Sequence, residues 1–386
     1  MINLIQSELG AKNVGIINYC HSNSNYGAVL LAYAMSRMLE KLGYRPVVID
    51  FVPYEVRLEE RRPSVFEDFR RKYLRRTALC YSDKQLARLN KELPRIIVAG
   101  DQTMRYPYGY TYLLKWAKGL KTLIMYSVSF GRKKKVFYDP LIWRKCLCRF
   151  DAVSAREHSG AETFKRYGVK APVVLDPVLL LDAQDYQSII DAERLNNFSE
   201  EYAAYGLLDK TILTQLNEPA VLAGLKSKCR FVNILKDENG RDRTFGEWLS
   251  YIKGARYVIT NSFHSVVIAL IFQKQFVVIQ PTWRGNERML NLFEQFNISK
   301  NRLFENIADI TPQSFNVPID YCKINSILAG ERKKSLHFLT KALGIEPNYK
   351  RIIIGGSWLP LYTRLKVNII KDYSPVIKKV VSKLFH

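Results

Sequence analysis

The stretch from Tyr257 to Ile279 reads YVITNSFHSVVIALIFQKQFVVI and predicts a strand, a turn, a helix and a second strand in direct succession. Tyr257–Thr260 and Phe276–Ile279 are short β-prone runs. The apolar segment between them is long enough for a buried helix. This alternation is typical of a parallel sheet with covering helices, so the stretch indicates an α/β protein.

A histidine lies in the first turn of the predicted helix. Asn261 and Ser262 belong to the residue types that cap helix N-termini, and His264 follows them directly. His264 is therefore expected at the C-terminal edge of a parallel sheet, where open α/β sheets bind ligands and helix N–H groups favour an anion. Two readings remain open: a functional histidine, or one that only helps to cap the helix.

The same alternation runs through the rest of the chain. A strand at 14–19, a polar loop, a helix at 28–42 and a strand at 46–51 form a βαβ unit without the GxGxxG spacing of a dinucleotide site, so no NAD is predicted. Further strands are predicted at 95–99, 123–128, 152–155, 173–175, 211–216 and 231–235.

These strands divide into two sets and predict two Rossmann-like domains that face each other across a cleft. We expect an N-terminal domain over 1–184 and a C-terminal domain over 185–345. A basic amphipathic tail over 346–386 completes the chain, and a helix there would place Val376, Ile377 and Val380 opposite its lysines. That pattern is typical of a helix lying in an anionic membrane surface, although a helix packed on the protein body is the alternative.

Composition limits the class of protein. The chain has 386 residues, is 47% hydrophobic and carries a net charge of +23, which favours acidic partners such as nucleic acid, anionic lipid or phosphorylated small molecules. No nucleic-acid-binding motif is evident, so no nucleic-acid partner is expected. The six cysteines form no CxxC or zinc spacing. Neither a secretory signal nor a transmembrane segment is apparent, so a cytoplasmic protein is expected.

Several separated segments resemble the polysaccharide pyruvyl transferase family and occur in the family's order. They cover residues 14 to about 300, and the tail lies outside the resemblance. The motifs that carry the resemblance are Asn25-Tyr26-Gly27, Asp101-Gln102, Ser154-x-Arg156-Glu157, Asp176-Pro177 and Ser262-Phe263-His264.

The resemblance implies a GT-B-like fold, in which the N-terminal domain would hold the acceptor and the C-terminal domain phosphoenolpyruvate. It implies transfer of the pyruvyl group from phosphoenolpyruvate onto two hydroxyls of a sugar, with release of phosphate and no metal or redox cofactor. A polyprenyl-diphosphate-linked oligosaccharide is the expected acceptor. The basic tail would then hold the enzyme peripherally on the inner face of the cell membrane.

The residues expected to bind the donor are Arg156, Asn261, Ser262 and Arg288. Arg156 offers a planar guanidinium fork that suits a carboxylate or phosphate. Asn261 and Ser262 lie at the helix N-terminus. Some family members carry arginine where this chain has Ser262, and the nearest basic residues that would substitute are Arg284 and Arg288.

Three residues are expected to carry the proton transfers. His264 is the candidate acid or base, or the group that stabilises phosphate, because imidazole titrates near neutral pH. Asp101 would accept a proton from a sugar hydroxyl, and the alternative is a helix-capping role. Glu157 would act as a base or orient Arg156. Asp176-Pro177 is interpreted as mainly structural.

Three residues are expected to bind the acceptor sugar: Asn25, Tyr26 and Gln102. Asn25 and Tyr26 would hydrogen-bond sugar hydroxyls, with Tyr26 also stacking on a sugar face, and Gln102 would face the crevice. The alternative for Asn25 and Tyr26 is a turn in which Asn25 tolerates left-handed geometry and Gly27 permits close packing.

Two other functions stay open on the sequence alone. One is a GT-B glycosyltransferase that uses a nucleotide sugar in the same pathway. The other is a non-catalytic, membrane-associated assembly factor that has kept the fold.

Overall fold

The computed structural model describes residues 12–53, 63–104, 109–131, 140–193, 200–216, 230–280 and 287–345. Within these ranges two five-stranded sheets form, and all their strand pairs are parallel. The first has the strand order β2-β1-β3-β4-β5, and the second has the order β10-β9-β8-β6-β7. The strands are β1 Asn13–Ile17, β2 Arg45–Val48, β3 Arg95–Ala99, β4 Thr122–Val128, β5 Ala152–Ala155, β6 Tyr202–Gly206, β7 Arg230–Asn233, β8 Tyr257–Thr260, β9 Gln275–Ile279 and β10 Leu303–Phe304.

Helices connect and cover these strands. They are α1 Tyr26–Lys41, α2 Val65–Tyr73, α3 Asp83–Leu86, α4 Gly109–Tyr112, α5 Pro140–Leu147, α6 His158–Arg166, α7 Pro177–Leu180, α8 Ala183–Asp191, α9 Lys210–Leu216, α10 Phe245–Gly254, α11 Phe263–Ile271, α12 Glu287–Gln295 and α13 Tyr321–Leu343. The predicted α/β class with two Rossmann-like domains in a GT-B-like arrangement is confirmed.

The stretch that predicted the fold forms β8, α11 and β9 as expected. All nine residues of α11 are buried, because this helix lies between its own sheet and the first domain. Ser262 is the N-cap, and its Oγ accepts a hydrogen bond from Ser265 N at 3.4 Å. The local capping signal therefore positions His264 in the first turn of α11.

The predicted strand at 211–216 is wrong, because these residues form α9. Asp209 starts this helix by accepting a hydrogen bond from Thr211 N at 3.0 Å. The strand of this region is β6, whose sequence YAAYG has weak β propensity. It pairs with β7 on one side and β8 on the other, so its place inside the sheet overrides local preference. A strand is also predicted at 173–175, but in the structure these residues form only a single bridge, between Val173 and Ala155.

An aromatic cluster joins the two domains. The Tyr26 ring from α1 lies 4.7 to 5.2 Å from the rings of Phe66, Phe245 and Trp248, two of which belong to α10 of the second domain. The Tyr26 hydroxyl donates to the Arg243 carbonyl at 2.5 Å. Its ring is therefore buried in packing between the domains.

The last described helix returns to the first domain. Arg95 Nε donates to the Leu343 carbonyl of α13 at 3.0 Å, and Leu175 N donates to Ser335 Oγ at the same distance. Arg332 Nε also donates to the Leu179 carbonyl at 2.7 Å. Helix α13 therefore follows the second sheet in sequence but is hydrogen-bonded to residues of the first domain. The tail over 346–386 lies outside the described residues.

Candidate active site

Residues that follow the carboxyl ends of strands in both sheets meet between the domains. Gly27 and Asp101 follow strands of the first sheet, and His264 follows β8 of the second. Arg288 comes from α12, in the second domain. The contacts among these residues fix a shared site at the facing edges of the sheets, as expected for open α/β sheets.

His264 is packed tightly against α1. It is 6% exposed, and its imidazole lies so close to Gly27 that a Cβ built on that glycine would meet His264 Nδ1 at 1.9 Å. No other residue type fits at position 27 without moving the ring. The motif Asn25-Tyr26-Gly27 and the motif Ser262-Phe263-His264 therefore form one contact across the domain boundary.

A buried carboxylate lies between Arg156 and His264. Asp176 Oδ2 is 2.6 Å from Arg156 Nη2, as a close ion pair, and 3.6 Å from His264 Nε2. All three residues are at most 6% exposed. Burial alone would raise the pKa of Asp176, but the positive charge of Arg156, with smaller contributions from the nearby His264 and the Val178 N–H, outweighs burial and lowers the pKa to about 2.

The guanidinium groups of Arg156 and Arg288 both make cation–π contacts with the ring of Phe263. The Cζ atoms of Arg156 and Arg288 lie 5.2 and 5.5 Å from the ring centroid. Burial lowers the pKa of Arg288, and the positive charge of Arg156 lowers it further against the opposing effect of Asp101. Among the described residues, all three guanidinium nitrogens of Arg156 and Nε of Arg288 are buried without a hydrogen-bond acceptor, although Nη2 of Arg156 is ion-paired with Asp176. Unsatisfied buried donors on two cations suit an anionic ligand.

Glu157, the residue after Arg156, is also buried, with 2% of the residue exposed. Its Oε1 accepts from Ser129 Oγ at 2.9 Å and from Phe130 N at 3.3 Å, while Oε2 has no partner among the described residues. Burial raises the pKa of Glu157 even though Arg156 and Arg288 act to lower it. A raised pKa favours the protonated carboxyl, which can donate a proton.

Asp101 is held in an unusual backbone conformation. Gly100 and Asp101 have φ values of +55° and +49°, and a β carbon on Gly100 would lie 2.9 Å from Arg156 Nη2. Left-handed geometry at a non-glycine residue is uncommon and is often found at functional sites. The turn directs Asp101 Oδ1 to a position 3.5 Å from Arg288 Nη1, so an acid of the first domain faces a base of the second.

The remaining predicted site residues have structural contacts. Asn25 is the exposed N-cap of α1, and its Oδ1 accepts from Ala28 N at 3.1 Å. Asn261 is 8% exposed, and its Oδ1 accepts from Leu208 N at 2.8 Å. The Gln102 side chain lies against Gly131, where a β carbon would meet it at 2.5 Å. Arg284 lies outside the described residues.

Tyr26 requires a correction. We expected this ring to stack on a sugar, but the aromatic cluster between the domains covers it, and only 6% of the residue is exposed. Its hydroxyl is also engaged by backbone carbonyls of the second domain. Packing between elements distant in the chain decides this environment, and the local sequence carries no signal for it.

Sequence reasoning missed two residues that shape the site. Asp176 was interpreted as structural, although its second oxygen contacts both Arg156 and His264. Asn291 of α12 is 9% exposed, and its side chain accepts from His158 N at 3.1 Å and donates to the Arg156 carbonyl at 3.5 Å. It thereby docks α12 onto the loop that carries Arg156 and Glu157.

The fold and the site together define a two-domain α/β protein with a buried arginine, carboxylate and histidine between its domains. The family model for polysaccharide pyruvyl transferase matches residues 25–281. That match spans more than half of the chain and includes Arg156, Asp176 and His264. The chain therefore belongs to the polysaccharide pyruvyl transferase family.

Other comparisons give distant similarities. No curated protein matches the chain. Among solved structures, LpCGTa in complex with UDP is 14% identical with a TM-score of 0.48, covering 86% of this chain and 99% of that one. UGT89C1 of Arabidopsis thaliana is 10% identical with a TM-score of 0.47 and the same two coverages. The wall teichoic acid polymerase TagF is 11% identical with a TM-score of 0.46, covering 93% of this chain and 90% of that one.

Within the ranges that the structure describes, no helix is both long enough and apolar enough to cross a bilayer.

Proposed function

We propose that the protein transfers the pyruvyl group of phosphoenolpyruvate onto two hydroxyls of a sugar in a lipid-linked oligosaccharide or polysaccharide precursor. In this reaction the methylene carbon of the donor gains a proton, phosphate leaves C2, and two sugar oxygens bond to C2 and lose their protons. The product is a cyclic ketal. The reaction as written needs no metal or redox cofactor.

The observation that carries this proposal is the pair Arg156 and Arg288 around Phe263. Phosphoenolpyruvate has two anionic groups, a carboxylate and a phosphate. The pair offers two buried guanidinium groups, contributed by different domains, with donors that have no acceptor among the described residues. The N-terminus of α11, with Ser262 as its cap, adds backbone N–H groups that favour an anion.

The acids and bases of the site suit the proton transfers. Glu157 would donate a proton to the methylene carbon, because its raised pKa favours the protonated form. Asp101 would accept a proton from a sugar hydroxyl once the donor anion engages Arg288. His264 would serve the second proton transfer or stabilise the departing phosphate. Asn25 and Gln102 would contact the acceptor.

The membrane part of the proposal rests on charge. The chain carries a net charge of +23, and the tail after residue 345 mixes lysines with large apolar residues. A lipid-linked acceptor would require the enzyme to work at an anionic membrane surface, to which basic segments are attracted.

A turnover assay tests the proposed reaction. The full chain is mixed with phosphoenolpyruvate and with lipid-linked or nitrophenyl sugars, and phosphate release is followed together with the acceptor mass. We expect acceptor-dependent phosphate release and a mass gain of pyruvic acid less one water. His264→Ala should lower turnover by at least about 100-fold, and Arg156→Lys should do so because lysine lacks the planar fork.

Matched substitutions serve as controls. His337→Ala and Arg166→Lys change the same residue types at exposed positions of α13 and α6, and both should retain turnover. Tight binding of a nucleotide sugar without binding of phosphoenolpyruvate would contradict the proposal and favour a glycosyltransferase. If the protein binds neither phosphoenolpyruvate nor a nucleotide sugar, a non-catalytic assembly factor is favoured.

A further inference from the structure

The two carboxylate oxygens of Asp176 have different contacts: one caps a helix and the other faces Arg156 and His264. Oδ1 accepts a hydrogen bond from Val178 N at 2.9 Å and so caps α7. Oδ2 takes no part in the cap and faces the site, 2.6 Å from Arg156 Nη2 and 3.6 Å from His264 Nε2. A residue that only capped a helix would not need its second oxygen buried between two functional side chains.

We propose that Asp176 is a positioning residue, which holds Arg156 of the first domain and His264 of the second in the spacing and the imidazole tautomer that the reaction needs. The inference rests on the proposed function, because it concerns the same site. It adds a role for a residue that contacts neither substrate in that proposal and acts through its two neighbours.

The tautomer follows from the chemistry of the carboxylate. An ionised carboxylate only accepts hydrogen bonds, so the nitrogen that faces it is the one that carries the proton. His264 Nε2 lies 3.6 Å from Asp176 Oδ2, beyond hydrogen-bond distance, and neither atom has a hydrogen-bond partner among the described residues. The proposed tautomer places the proton on Nε2, towards this oxygen, and leaves the lone pair on Nδ1, beside Gly27. A partner that fixes which nitrogen is protonated decides whether a histidine is a donor or an acceptor at the reacting position.

The same carboxylate positions Arg156. Its Nη2 lies 2.6 Å from Asp176 Oδ2 as an ion pair, and none of its three guanidinium nitrogens has a hydrogen-bond acceptor in the described part of the chain. Asp176 thus balances part of the guanidinium charge and orients the remaining donors. Other ionisable groups that act on Asp176 or are acted on by it are Arg288, Tyr126 and Tyr186, and burial raises the pKa of both tyrosines.

Asp176→Asn separates the two tasks. Asparagine also caps helices, so the bond to Val178 N is retained while the negative charge is lost. The introduced amide can donate to His264 Nε2, which should move the ring proton to Nδ1. We expect kcat to fall between about 10- and 100-fold, by analogy with removal of the carboxylate that orients a metal-binding histidine.

The tautomer is measured directly by ¹⁵N NMR of the full chain labelled at histidine. The chain has only five histidines, and the spectrum of His264→Ala identifies the signal of His264. We expect the Nε2–H form in the unaltered protein and the Nδ1–H form in Asp176→Asn. Asp320→Asn, which alters the N-cap of α13 in the same way, should leave both the tautomer and kcat unchanged.

Each outcome decides the proposal. Detection of the Nδ1–H form in the unaltered protein would overturn it, and this measurement holds even if Asp176→Asn does not fold. An unchanged tautomer in a folded Asp176→Asn protein would also overturn it and leave Asp176 as a cap. The NMR result needs no turnover, so failure of the phosphoenolpyruvate assay would reject the proposed function without affecting the test of Asp176.

Discussion

At the scale of single residues, Gly27 is the described glycine at which an added β carbon would meet its nearest neighbour at the shortest distance. Gly27→Ala places a methyl group where His264 Nδ1 lies, 1.9 Å from the ideal Cβ position. Overpacking of this kind costs about 1–3 kcal/mol of the free energy of unfolding. We expect that loss in a urea titration, and a fall in turnover of at least about 10-fold, because a displaced imidazole no longer faces Asp176.

Gly330 provides the matched control for Gly27. It lies inside α13, where a β carbon would meet nothing within 4 Å. Gly330→Ala should raise the free energy of unfolding by about 0.5–1 kcal/mol through helix propensity, without changing turnover. Wild-type stability and turnover in Gly27→Ala would show that His264 is not held by this contact.

Glu157 is predicted to make stability depend on pH. Its pKa is raised above the usual 4.5 in the folded state, so the folded state retains the proton that the unfolded chain releases. The associated stability is present below pH 4.5 and is lost as the pH rises through the folded-state pKa. Glu157→Gln removes this titration, so its free energy of unfolding should rise relative to wild type as the pH increases from 4.5.

Urea titrations across that pH range measure the difference, and Glu162→Gln is the control. Glu162 lies on α6 with 64% of its side chain exposed, so Glu162→Gln makes the same chemical change at a surface position. A constant difference for Glu157→Gln would indicate that Glu157 is ionised alike in the folded and unfolded states.

At the scale of elements, helix α1 begins at a residue with two predicted roles. Asn25 Oδ1 caps the helix, and its exposed position leaves the amide nitrogen available to a sugar hydroxyl. Asn25→Ala should cost about 1 kcal/mol of stability. Asn25→Ser keeps a capping oxygen but lacks the amide, so it should retain stability while raising the KM for the acceptor up to about 10-fold.

Thermal unfolding and acceptor titrations separate these roles. Both variants should leave the KM for phosphoenolpyruvate unchanged, because the proposed donor site lies with Arg156 and Arg288. If the acceptor KM of Asn25→Ser equals that of wild type, Asn25 serves only as the cap of α1.

At the scale of the whole molecule, the basic tail is predicted to bind anionic membranes. Deletion of 357–386 should abolish co-sedimentation with vesicles containing phosphatidylglycerol. In the full chain, binding should weaken as salt rises, because the screening length shortens from about 10 Å at 0.1 M to about 3 Å at 1 M.

Substitution of lysines in the full chain tests the same idea without truncation. Replacing Lys378, Lys379 and Lys383 by glutamine should weaken vesicle binding, since each basic residue near an anionic surface contributes about 1 kcal/mol. Vesicles of phosphatidylcholine alone serve as the control. If the full chain, the 357–386 deletion and the lysine-to-glutamine variant sediment equally with phosphatidylglycerol vesicles, a membrane role for the tail is contradicted.

Several features of this protein depend only on neighbouring residues along the chain and could be predicted from them. The strand-turn-helix-strand pattern at 257–279, the Ser262 cap and the place of His264 in the first turn are local, because capping and burial periodicity act over a few residues. The α/β class and the two sets of parallel strands followed from repetition of the same pattern. Family motifs indicated Arg156 and His264 without showing that they share a partner.

Which residues of the site contact one another depends on how the whole chain packs. Asp176, Arg156 and His264 are distant in sequence and come from two domains, so no local pattern encodes the 2.6 and 3.6 Å contacts between them. The same holds for Tyr26, whose ring packs between the domains, and for β6, which is a strand because both neighbours pair with it. Propensity and capping act locally, whereas ion pairs and sheet order depend on how the whole chain is packed.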